Sequence, residues 1–91
     1  MQNLENLVAT LPALECLVYN RAEREFVSVM RDPHGFVRDG MLFVSAEYGD
    51  NAADYYGERG HSWINPALEN WATENGGYWE WYDTGSIVFA N

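Results

Sequence analysis

A chain of 91 residues leaves room for one domain and little more. Its 47% hydrophobic content is ordinary for a folded protein and its 15% aromatic content is high. A net charge of -9, with no lysine, excludes a surface built to hold nucleic acid or anionic lipid.

The charge is unevenly placed. Residues 1–40 carry six acids and four arginines, whereas residues 41–91 carry eight acids against Arg59 alone. Large aromatics bury much area each, so few residues suffice for a small core. Such a core gains from self-association, in its simplest form a homodimer. The single cysteine, Cys16, allows no internal disulfide and lies in the apolar run Leu14–Tyr19, which predicts a buried thiol in a reducing compartment. The N-terminus shows neither a basic leader nor a long apolar run, so the expectation is no signal peptide, no membrane partner and a cytoplasmic location.

Along the chain, Asn3 is placed to cap a first helix in which Leu4, Leu7, Val8 and Leu11 share one face, and Pro12 ends it. Leu14–Tyr19 is β-prone, Asn20–Arg24 is polar enough to turn, and Glu25–Met30 reads as the returning strand. Its alternation sets Phe26, Ser28 and Met30 on one face, with Val27 and Val29 on the other. Asp32-Pro33-His34-Gly35 is a turn, Phe36–Arg38 a short strand, Asp39-Gly40 another turn, and Met41–Ala46 a central strand of a three- or four-stranded meander. From Glu47 to Ser62 the pattern loosens. A helix of one or two turns is expected over 52–56, capped by Asp50 or Asn51, in a segment long enough to be a functional loop.

The last third is the most legible. Asn65 caps a helix with Pro66 at its first position, Leu68, Trp71 and Ala72 form its apolar face, and Asn75-Gly76-Gly77 stops it. Tyr78–Tyr82 and Ile87–Ala90 then make a hairpin around Asp83–Ser86, with glycine supplying positive φ. Trp79 and Trp81 are expected in the core, leaving Tyr78, Glu80 and Tyr82 outward. The whole is an α+β chain, a single domain over 1–91: an antiparallel sheet of about five strands with two or three short helices on one face.

No catalytic motif emerges, and the expectation is a non-enzyme. His34 sits in a turn where exposure without catalysis is the simplest outcome. Asp50, Asp54 and Glu58 with His61 nearby would line one face of a continuous helix, but Gly57 and Gly60 oppose that helix and the spacing fits no calcium or zinc motif. Neither a metal nor a cofactor is expected. Aromatics on a strand can stack bases, yet direct nucleic-acid binding also needs a cationic groove that this half lacks.

The same residues suit the opposite role. Acids interleaved with tyrosines can imitate a phosphate track and dock on a basic protein or nucleoprotein complex. The candidate contacts are Glu47, Asp50, Asp54, Tyr55, Tyr56, Glu58, Glu80 and Asp83. In this profile the chain resembles the small acidic inhibitors of phages and mobile elements, among them anti-CRISPR and antirestriction proteins that mimic DNA. That resemblance implies a non-enzymatic protein, acting in a host cytoplasm, that occludes a nucleic-acid-handling partner. Two alternatives draw on the same features: an immunity or antitoxin-like protein capping a toxin, and a small structural or accessory subunit whose charge is incidental.

Overall fold

Asn3 opens the first helix, α1 (Leu4–Val8), its Oδ1 accepting from the Glu5 N–H at 2.9 Å. The computed structural model describes residues 3–57 and 61–91. The helix is shorter than its apolar stripe. After Val8 the chain continues in tighter turns, Thr10 N–H to Leu7 O and Leu11 N–H to Val8 O, which keep Leu11 on the same side.

Two strands follow, β1 (Leu14–Asn20) and β2 (Glu25–Arg31), paired antiparallel from Leu14↔Arg31 to Asn20↔Glu25. Asn20 Oδ1 accepts from Ala22 N–H at 3.0 Å and Glu23 N–H at 3.4 Å, closing the turn. Among the described residues this hairpin is a sheet of its own and pairs with no third strand. The main sheet consists of β3 (Gly35–Arg38), β4 (Met41–Ser45), β7 (Tyr78–Asp83) and β8 (Ser86–Ala90), in the order β3-β4-β8-β7. Between them lie a two-residue ladder, β5 (Ala53–Asp54) against β6 (Trp63–Ile64), and the second helix, α2 (Pro66–Glu74).

Three expectations are corrected. The main sheet has four strands rather than about five, because β2 turns away at Asp32–His34 instead of joining β3. β4 is interior as expected, but its second neighbour is β8 from the far end of the chain, so the sheet is not a meander. The helix expected over 52–56 is absent: Asn51 takes φ 64°, and Ala53 pairs with Ile64 as a strand.

The alternation of β4 divides the main sheet. Leu42 and Val44 face the helices together with Ile87, Trp79 and, at the margin, Trp81 and Phe89. Leu7 from α1 and Leu68, Trp71 and Ala72 from α2 fill the same core. The fully buried Leu14, Leu42, Leu68 and Ile87 contribute about 1.5–3 kcal/mol each by leaving water. α2 is capped as its sequence dictates, with Asn65 Oδ1 accepting from Ala67 N–H at 2.9 Å. At its other end Gly76, at φ 77°, lets the Gly77 N–H return to Ala72 O at 2.8 Å. Trp79 lies under this helix, donating from Nε1 to Leu68 O at 2.7 Å with its ring stacked on Trp71 at 5.5 Å. Trp71 in turn donates to Thr10 Oγ1 at 3.0 Å, tying α2 to the end of α1.

The opposite face of the sheet has no helix over it. Phe43 is nonetheless buried there, between Phe36 at 5.3 Å and Tyr82 at 5.0 Å, with the Arg38 guanidinium 5.4 Å from its ring centre. Tyr78, Glu80 and Tyr82 point outward on this face, as expected from the core placement of Trp79. Among the described residues no helix is long and apolar enough to cross a membrane.

The candidate partner-binding surface

The candidate surface is assembled where the β4–β5 connection meets the β7–β8 turn. Ala46 N–H donates to Gly85 O at 2.8 Å, which sets Glu47 directly over that turn. A Cβ at Gly85 would stand 2.6 Å from Glu47 Oε1, so the Glu47 side chain lies against the turn backbone. Its φ is not positive, contrary to the expectation for this turn.

Two open hollows flank Glu47. The larger, about 1010 Å³, is bordered by Glu47, Asp54, Tyr55, Tyr56, His61 and Trp63, with Cys16 and Leu17 of β1 on its far side. Tyr55 is wedged edge-on between Trp81 and Tyr56, at 5.3 Å from each, which fixes the aromatic wall. Asp54 Oδ1 accepts from Tyr56 N–H at 3.0 Å and so orders the turn after β5. Among the described residues no arginine lines this hollow.

The smaller hollow, about 650 Å³, shares Glu47 and Thr84 with the first and adds Asp83, Ser86, Arg38, His34 and Tyr48. Asp83 Oδ1 accepts from Ser86 Oγ and from Gly85 N–H, both at 2.9 Å. These bonds, the Ser86 hydroxyl first, hold the exposed Asp83 carboxyl below its ordinary pKa, with the Arg38 charge assisting.

The expected contacts therefore separate. Glu47, Asp54, Tyr55 and Tyr56 share one hollow, and Asp83 joins Glu47 at the other. Glu80 stands apart on the open sheet face, opposite Val88. Glu58 lies outside the described residues. Asp50 is a correction: it is buried, so its carboxylate is withdrawn from any partner. Its Oδ2 lies 2.7 Å from His34 Nδ1, and its Oδ1 accepts from Ala52 N–H at 3.2 Å.

That pairing also revises the reading of His34 as an unengaged turn residue. A carboxylate only accepts, so Nδ1 donates and Nε2 is left out of that bond, while Tyr48 stacks on the ring at 4.0 Å and His34 borders the smaller hollow. An imidazole held this way can pass a proton at Nε2. No nucleophile or substrate-holding pair is bonded to that nitrogen among the described residues, so the observed role is to pin the 48–50 loop to the start of β3. The only local signal was the Asp50–Ala52 turn; its partner is sixteen residues away. No cluster of three or more metal-ligating side chains occurs among the described residues.

Comparison with known proteins finds no matching family model, no matching curated protein and no matching solved structure.

Proposed function

We propose that this chain is a non-enzymatic inhibitor that occludes a basic, nucleic-acid-handling protein, as anti-CRISPR and antirestriction DNA mimics do. One observation supports the reading above others. Glu47, Asp54, Tyr55 and Tyr56, close in sequence, border a single open hollow. Carboxylates beside rigid aromatic rings suit an arginine- or lysine-rich channel: the acids take the place of phosphates, and the rings supply contact area at low entropic cost. Asp83, kept ionised by its turn, extends the negative field across Glu47 to the second hollow.

The test is capture from host lysate at low salt, elution with a salt gradient, and competition with duplex DNA. A basic nucleic-acid-binding complex, released steeply by salt and displaced by DNA, is the expected result. The double variant Glu47→Arg/Asp54→Arg should lose at least about tenfold in affinity for that complex, since two charge contacts reverse sign. Equal capture by the variant removes this hollow as the contact.

A further inference from the structure

We propose that the β1–β2 hairpin is a self-association arm, which packs face to face against the same hairpin of a second copy of this chain. Its register places Glu15, Leu17 and Tyr19 opposite Met30, Ser28 and Phe26, all on one face. That face is open: Leu17 is 69% exposed, Phe26 67%, Met30 62% and Tyr19 50%. The other face, with Cys16, Val18, Val27 and Val29, is buried at its base and half-buried beyond. Among the described residues neither outer edge of the hairpin pairs with another strand, and only the base of β1 is held, by Asn51 Nδ2 donating to Glu15 O at 2.9 Å. A lone two-stranded ribbon is marginal in water and needs further cover on its apolar face.

The chain measures 49 × 28 × 21 Å, with a radius of gyration of 14.0 Å, where about 12 Å is expected for a compact chain of this length.

Charge identifies the occupant. Residues 14–31 hold Glu15, Glu23 and Glu25 against Arg21, Arg24 and Arg31, and are neutral; the whole -9 lies elsewhere. A second copy meets net like charge over the acidic second half of the chain, and a basic partner is drawn to the acidic hollows rather than to a neutral ribbon. Face-to-face packing about a two-fold axis is self-complementary, stacks the Tyr19–Phe26 pair of each arm on its counterpart's apolar face, and keeps the two acidic bodies apart. Ser28, small and in the central row, lies near the axis.

Self-association and the proposed inhibition respond to salt in opposite directions. Screening weakens repulsion between two acidic bodies and so strengthens the dimer, while it weakens contact with a basic partner. Light-scattering mass measured across protein concentration should rise from one chain to two, at lower concentration as salt increases. Tyr19→Thr/Phe26→Thr keeps strand propensity and leaves the acidic hollows untouched; it should raise the dimer dissociation constant by about 30-fold or more. In a Ser28→Cys variant, a short bismaleimide should link two chains through residue 28, which shows the face in use even if the double variant folds poorly. A one-chain mass at every concentration and salt overturns the proposal. So does a dimer indifferent to the double variant and unlinked through residue 28, which would place the interface elsewhere. A wild-type monomer whose double variant instead loses a basic partner would assign the face to that partner, and also overturns it.

Discussion

Two hairpins of similar length meet opposite fates in this protein. In β7–β8, Trp79 turns inward under α2, Trp81 packs at the margin of the core, and β8 is enclosed between β7 and β4. In β1–β2, the row Leu17, Tyr19, Phe26 and Met30 stays exposed, and among the described residues no third strand joins either edge. The local sequence logic is the same: alternation of apolar side chains around a polar turn. What differs is the supply of cover. α2 enters β7 through Gly77, close enough for Leu68 O to accept from Trp79 Nε1. α1 precedes β1 in the same way, but Leu7, Val8 and Leu11 are committed to the main-sheet core, with Leu11 and Val8 lying over Gly35 of β3. A strand pattern specifies a hairpin; a neighbouring apolar surface decides whether the hairpin belongs to the core.

The widest gap between the two hairpins should appear in stability. Trp79→Ala removes a stacked, hydrogen-bonded ring from the core, and should cost about 3–5 kcal/mol in chemical denaturation. That is a large share of the roughly 5–15 kcal/mol typical of a domain. Phe26→Thr on the free arm, measured below the concentration at which chains associate, should cost under about 1 kcal/mol. Equal losses would erase the distinction between core and arm.

The junction should fall between these extremes. Asp50→Ala strips the Ala52 N–H of its acceptor and frees His34 beside Tyr48, for a cost of about 1–3 kcal/mol. The adjoining Asn51 Nδ2 donates to Glu15 O at 2.9 Å, so the same change should speed amide exchange at the base of β1 before it does so in β8. Uniform acceleration would mean that arm and body open as one unit.

Surface charge should matter least to folding. Glu47→Arg should shift stability by no more than about 0.5 kcal/mol, and Asp54→Arg, which also removes the acceptor of the Tyr56 N–H, by about 1 kcal/mol, while the pair alters partner capture. The smallest effect belongs to Asp83. Its lowered pKa means that the turn's contribution is complete above the ordinary carboxylate pKa, declines as pH falls from there, and is gone below the lowered value. Wild type and Asp83→Asn should therefore differ slightly near neutrality and converge at the acid end of a stability–pH curve. A gap that widens with acid contradicts this sign.

These contrasts follow the line between what the sequence discloses and what it conceals. Helix caps at Asn3 and Asn65, the positions of the hairpin turns, and the inward placement of Trp79 are written within a few residues of themselves and are read correctly, although Gly85 lacks the positive φ expected of it. The insertion of β8 between β4 and β7 depends on pairings such as Phe43↔Val88, which no local periodicity encodes. The candidate surface divides in the same way. Glu47, Asp54, Tyr55 and Tyr56 are near neighbours in the chain and meet at one hollow. Asp50, in the middle of them, is drawn inward by a histidine from another element, and a count of charges does not register burial.

The distribution of indole rings has an optical consequence. All four tryptophans belong to the body, and Trp71 and Trp79 are stacked 5.5 Å apart inside it, whereas the arm contains none. Intrinsic emission excited at the red edge therefore follows the melting of the sheet-and-helix core and is silent about the arm. A tryptophan placed at Tyr19 would give the arm its own colour, allowing the two regions to be followed separately in one cuvette.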